Sequence, residues 1–269
     1  MELTQVSVPV LNTMIFAALI GILGPVIAAW VSAVKFKTKV SPIFLGISGY
    51  IVSELFIRSG LLQVLSDTAF FKGMREIELL YQLFLAVTIV IFEELVRWLI
   101  MRFAFNKRSS DEYACSFGIS WGAVECLITL GLVYFSYYMT AKTINAGNYG
   151  ILSELEFADL TEASEYIATL SALSIVLDII KSAAGMVMQV FYTFVITRGI
   201  INNTTPFCLG LAAVVHLLYI YIPTLLILLP AGLILSTLFC SLCATLLLYY
   251  MKEAMRRAKY YKDPKNQTL

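Results

Sequence analysis

The sequence predicts an all-α protein, a polytopic transmembrane bundle of about seven helices with its amino terminus outside and its carboxyl terminus in the cytoplasm. Three observations predict it. Hydrophobic residues fill 59% of the 269 positions and charged residues only 14%, about half the charged share of a soluble domain. The apolar residues gather into stretches of about 20, the length a helix needs to cross the hydrocarbon core. Lysine and arginine fall in alternate connections, the pattern that positive-inside orientation imposes on a chain crossing repeatedly.

The elements follow in order. A first span is expected over residues 8–34, closed by Lys35, Lys37 and Lys39. A second covers 43–65, a third 79–103 and a fourth 113–140. A polar connection comes next, with Glu154, Glu156, Asp159, Glu162 and Glu165. The fifth span covers 167–197. The sixth, 207–221, stops before Pro223, because proline removes a helical hydrogen bond and crowds the preceding turn. Residues 224–229, between Pro223 and Pro230, either extend it or form a re-entrant piece. The seventh span covers 231–251, so residues 1–251 form the bundle and 252–269 a basic cytoplasmic tail.

Orientation rests on the basic connections: Lys35, Lys37 and Lys39; Arg102, Lys107 and Arg108; Arg198; then Lys252, Arg256, Arg257, Lys259, Lys262 and Lys265. An odd number of spans places all of them on one side, with the acidic 154–165 stretch on the other. The tail is expected to carry the last helix into an anionic headgroup layer. The apolar amino-terminal stretch is longer than a signal peptide's and lacks a basic region before it, so no cleavable signal is expected. A net charge of +1 gives no reason to expect nucleic acid as a partner; the expected partners are the bilayer of a cell membrane and a membrane-protein or peptide substrate. Cys240 and Cys243 form a C-x-x-C inside an apolar run without a second pair, which reads as inert thiols.

Ionisable groups inside membrane helices are costly and mark polar interiors. The third span carries Glu93, Glu94 and Arg97, with both glutamates one helical turn from the arginine. Glu125 lies in the fourth span and His216, the single histidine, in the sixth. At ~1.5 Å per residue, Glu94, Glu125 and His216 sit roughly 14, 18 and 14 Å from the cytoplasmic ends of their spans. If those helices are neighbours, the three residues share a level. Glu54 with Arg58 and Asp178 with Lys181 read as self-neutralising pairs. One arginine cannot neutralise two carboxylates, and a glutamate so placed has the character of a general base.

These residues resemble a known family. Phe92-Glu93-Glu94-Leu95-Val96-Arg97-Trp98 is similar to the E-E-x-x-R motif of the YhfC-type membrane proteins, grouped with the CAAX-processing and bacteriocin-processing (CPBP) intramembrane proteases. Phe117-Gly118-Ile119-Ser120-Trp121-Gly122-Ala123-Val124-Glu125 resembles that family's second motif, and the stretch 46–65 resembles its second helix. His216 falls where a late helix of the family carries a histidine. The resemblance implies that Glu93 or Glu94 activates a water for attack on a peptide carbonyl and that Arg97 holds the pair. Glu125 and His216 would then position the water or stabilise the oxyanion.

The chain departs from the pattern at Trp121, where the family has histidine, and at Lys181, Ser182 and Gln189, where it has a Glu-Arg pair and a later histidine. Ile220 stands where an acid is expected four residues after His216. The family is also described as metalloproteases, but Glu93 or Glu94, Glu125 and His216 make a ligand set too rich in oxygen for zinc. No cofactor is therefore assigned, and divalent metal is poorly supported. Two functions follow: an intramembrane peptidase using glutamate-activated water, or a non-catalytic membrane scaffold or partner-binding subunit on the same fold.

Overall fold

The computed structural model describes residues 5–36, 40–105, 110–147 and 160–262, and no strand occurs among them. Helix α1 runs Val8–Phe36, α2 Ser41–Ser66 and the short α3 Ala69–Arg75. Helix α4 runs Glu78–Ile100 and ends in a π-helical turn, Met101–Phe105. Next come α5 (Asp111–Asn145), α6 (Leu160–Thr169), α7 (Ala172–Ile201), α8 (Thr205–Ile227) and α9 (Gly232–Lys262).

Most of the expected spans are present with ends shifted by a few residues. Helices α1, α2, α5, α7, α8 and α9 are long and apolar enough to cross a membrane, six among the described residues. The chain is a multi-pass integral membrane protein. Helix α4, the third expected span, has 23 residues, carries Glu93, Glu94 and Arg97, and is not among those six. Two boundaries need correction. The fifth span begins at Ala172 rather than 167, because Ser171 caps it in a reciprocal capping box with Ser174 and residues 160–169 form a separate helix. The sixth continues through Pro223 to Ile227; residues 224–227 extend it, as one of the two expected alternatives had it. The acidic connection falls mainly on residues 148–159, which lie outside the described residues, as do Lys37, Lys39, Lys107, Arg108 and Lys265.

Packing places α5 and α7 at the centre. Ser110 caps α5 by accepting a hydrogen bond from the Tyr113 amide at 3.3 Å. Asp111, in the same first turn, meets Arg198 near the end of α7 at 2.6 Å, so the two helices run antiparallel. Gly118 and Gly122 let them touch. A Cβ at Gly118 would sit 2.6 Å from Val190 Cα, and one at Gly122 would sit 2.9 Å from Met186 Cα. Small residues four apart are a standard way for membrane helices to approach at backbone distance. At the other end, Val6 and Asn145 exchange hydrogen bonds of 2.8 and 2.7 Å, tying the start of α1 to the end of α5.

The outer faces are apolar. Trp30 is 68% exposed, and Phe16, Leu23 and Val26 on the same helix are exposed too, a surface that lipid covers at low cost. Helix α8 is the most peripheral, with 11% of its apolar window buried. Its buried residues are Ala212 and His216, one turn apart. The histidine is thus the side chain this helix turns inward.

Candidate active site

Four helices supply the polar centre: α4 gives Glu93, Glu94 and Arg97; α5 gives Trp121 and Glu125; α7 gives Gln189 and Tyr192; α8 gives His216. Arg97 is 0% exposed. Its Nη1 donates to Glu94 Oε1 at 2.6 Å, and its Nη2 donates to Glu93 Oε2 at 3.1 Å and to Gln189 Oε1. The guanidinium also lies 4.6 Å from the Trp121 ring centre and 5.5 Å from that of Tyr192. Such stacking strengthens as water is excluded.

The two glutamates have different surroundings. Glu93 Oε2 accepts three donors: Arg97, Trp121 Nε1 at 3.0 Å and Gln189 Nε2 at 3.2 Å. Glu94 Oε1 accepts from Arg97 and meets His216 Nδ1 at 2.7 Å. With Glu94 ionised, the imidazole donates from Nδ1. His216 stacks on Tyr192, ring centres 4.2 Å apart and planes 23° from parallel. Gln189 bridges to the third acid, donating from Nε2 to Glu125 Oε2 at 2.7 Å.

Three buried polar atoms in this cluster have no hydrogen-bond partner: Glu94 Oε2, Arg97 Nε and the Tyr192 hydroxyl. Buried polar groups in native proteins are almost always satisfied, by protein or by ordered water. Within the protein, Glu94 Oε2 is thus the oxygen of that carboxylate not used by Arg97 or His216. Glu125 is less enclosed. It lines a cavity of about 450 Å³ whose wall includes Tyr134, Asp178, Lys181 and Tyr219.

All five candidates from the sequence, Glu93, Glu94, Arg97, Glu125 and His216, thus join one hydrogen-bonded network, with Glu125 linked to it through Gln189 rather than directly. The pairs expected from spacing also form: Arg58 Nη1 meets Glu54 Oε2 at 2.9 Å, and Lys181 Nζ meets Asp178 Oδ1 at 2.7 Å. Cys240 and Cys243 are free thiols. Sequence reading noted Gln189 only as standing in a histidine's place, and it missed Tyr192. A signal existed for the first. Gln189 is a lone amide in an apolar run, and hydrocarbon surroundings oblige such a group to find partners within the protein.

The fold and this centre define an integral membrane protein that buries an acidic, arginine-braced, histidine-bearing polar cluster beside a cavity of mixed polar and apolar lining. The chain belongs to the YhfC intramembrane metalloprotease family, whose model matches residues 16–234. No match was found among curated proteins or among solved structures.

The family description carries a metal, and the donor set here does not fit one. Among the described residues no three His, Cys, Asp or Glu side chains are placed to hold a metal ion together. The nearest carboxylate oxygens are engaged: Glu93 Oε2 by three N–H donors and Glu94 Oε1 by two nitrogen groups. Zinc takes four ligands in a tetrahedron, or three plus water, and prefers nitrogen and sulfur. Trp121, Gln189 and Arg97 are hydrogen-bond donors to these acids, and an indole or guanidinium cannot ligate.

Proposed function

We propose that the chain is an intramembrane peptidase in which Glu94 activates a water for attack on a peptide carbonyl. The observation that supports it is the unpartnered Oε2 of Glu94, buried in the same cluster as the unpartnered Tyr192 hydroxyl, while Oε1 is held by Arg97 and His216. A water donating to Oε2 would lose its proton to Glu94 as its oxygen bonds to the carbonyl carbon. The tetrahedral oxyanion would be stabilised by a preorganised donor such as the Tyr192 O–H. Collapse breaks the C–N bond, and the proton passes from Glu94 to the leaving amine. Arg97 keeps Glu94 placed, and Glu93, fixed by three donors, holds Arg97 in turn. Both positioning roles act through other residues.

Substrate would reach this point from the 450 Å³ cavity. Gln189 stands between, bonded to Glu93, Glu125 and Arg97. Its amide must rotate for a scissile bond to approach Glu94. Seven crossings, counting α4, with an external amino terminus complete the reading: the ends of α1, α7 and α9 that carry Lys35, Arg198 and Lys252 would then face the cytoplasm, and the membrane would be the cell membrane. The wider likeness to the CPBP group supports hydrolysis without supplying a metal site here.

The test is cleavage of a transmembrane reporter peptide by protein purified into lipid. Glu94→Gln removes the base and is expected to lower the rate by roughly 10²–10⁴-fold, the range of general-base catalysis. Undiminished cleavage by that variant overturns the proposal. One observation favours the second reading, a non-catalytic scaffold: Glu93 is fully engaged as a brace, and neither Glu94 nor His216 lines the cavity. That reading expects wild-type protein to cleave nothing and Glu94→Gln to change recovery of a bound partner instead.

A further inference from the structure

We propose that the 450 Å³ cavity is a binding site for a primary ammonium group, with Glu125 as its anionic floor. The volume lies within the ~300–1,000 Å³ range of small-ligand sites. Tyr166, which is half exposed, is among the cavity's lining residues. From Tyr137 to Glu125 is twelve residues of α5, about 18 Å along its axis.

Charge selects the ligand. The connected polar interior holds the carboxylates Glu93, Glu94, Glu125 and Asp178. Against them stand Arg97 and Lys181, with His216 as the remaining base. Glu54 is matched by its own Arg58. With all four carboxylates ionised and His216 protonated, one negative charge is left over, to be balanced by a proton or by an arriving cation. Arg97 contacts Glu93 and Glu94, and Lys181 contacts Asp178. Glu125 has an amide donor, Gln189, but no cation within salt-bridge distance among the described residues. Of the two acids on the cavity wall, Asp178 is paired with Lys181 and Glu125 is not, so a cation arriving in the cavity would find its counter-charge at Glu125.

The walls suit an ammonium in particular. Tyr134, Tyr137 and Tyr166 follow one another with ring centres 5.8 and 5.8 Å apart, and all three line the cavity, as does Tyr219. Aromatic rings attract desolvated ammonium groups through their π faces and form the usual cages for them. Tyr134 is fixed in place by its bond to Asp178 at 2.6 Å. A run of rings leading to a carboxylate gives a cation a path and an end point. An anion would meet Glu125, while Asp178 and Lys181 on the same wall offset each other.

The chemistry is shared by a lysine side chain and by the free amino terminus of a peptide. The assignment rests on the peptidase proposal only for calling the ligand a substrate, since binding is read here without cleavage. In a variant with the five native cysteines replaced, Ser182→Cys puts a thiol on the cavity wall. Its modification rates by a trimethylammonium and by a sulfonate methanethiosulfonate reagent are compared, each normalised to a free thiol. The cationic reagent is expected to win by ~10-fold or more, within the range of electrostatic focusing in a cleft, and Glu125→Gln is expected to abolish the preference. Equal rates, an anionic preference, or a preference that survives Glu125→Gln overturns the proposal.

The unaltered protein provides a second measurement should the cysteine variant fail to fold. Nα-acetyl-lysine amide, or a lysine-free peptide amide with a free amino terminus, is expected to raise the thermal midpoint, and whichever does so identifies the source. The Nε-acetylated lysine compound is expected to do nothing. If neither ammonium compound shifts the midpoint, or if the neutral one shifts it equally, the proposal is overturned. Cleavage of uncharged peptides with no ammonium preference would likewise refute it while leaving the peptidase reading intact.

Discussion

Replacing Arg97 with methionine should expose how strongly the acidic centre depends on its one guanidinium. Arg97 is fully buried and bonded to Glu93, Glu94 and Gln189, with Trp121 stacked against it. Removing one partner of a buried ion pair costs about 3–5 kcal/mol, because the other partner stays buried and uncompensated. Here two carboxylates are left. Loss of the stacked cation adds to that, by up to ~2 kcal/mol for a desolvated contact. The expected loss for Arg97→Met is therefore at least about 3 kcal/mol, measured by equilibrium unfolding in mixed micelles. The triple variant Glu93→Gln, Glu94→Gln, Arg97→Met removes the stranded charges along with their partner. It should recover most of that loss, since replacing a whole buried charge cluster by neutral groups is far cheaper than breaking it. An Arg97→Met variant within 1 kcal/mol of wild type, or a triple variant no more stable than the single one, would refute the reasoning.

Three further outcomes are expected. Gly118→Leu should lower accumulation and unfolding free energy, by about 1–3 kcal/mol or more for an overpacked contact, since its Cβ would meet Val190 Cα at 2.6 Å; Gly60→Leu, whose Cβ meets nothing within 4 Å, serves as the control and should fold normally. Gln189→Leu should cost about 1–3 kcal/mol, the penalty for leaving buried partners unsatisfied, because Glu93, Glu125 and Arg97 each lose a bond; unfolding equal to wild type would contradict that network. Dialysis against a chelator should leave the unfolding midpoint unchanged and mass spectrometry should find no stoichiometric zinc, as expected where no three ligating side chains among the described residues are placed to hold a metal; a metal retained at one per chain would overturn that conclusion.

The fold was legible because hydropathy and charge placement act over whole segments, and the bilayer enforces both. The ends were less so. Pro223 reads as a stop, yet a proline costs a membrane helix less when its neighbours satisfy the freed backbone group, and α8 continues to Ile227. The start of α7 depends on a local contest between Ser171 capping and an apolar run that extends upstream. At the site, Glu93, Glu94 and Arg97 declared themselves by charge, and their mutual contact follows from helical spacing alone. That His216 meets Glu94, and that Glu125 reaches Glu93 only through Gln189, depends on how α4, α5, α7 and α8 are rotated about their axes. Hydropathy leaves that rotation undetermined in a helix as uniformly apolar as α8. The aromatic parts of the site were hidden for the same reason, since Trp121 and Tyr192 look like ordinary bundle residues until Arg97 is found between them.

The central claim is that Glu94 is the base of a peptide hydrolysis inside the membrane. Single-turnover cleavage of a transmembrane reporter by purified protein in lipid, wild type beside Glu94→Gln, tests it most directly. The account predicts cleavage by the wild type and a loss of at least ~100-fold in a folded variant. Equal rates for the two proteins, or no cleavage by either, would contradict it.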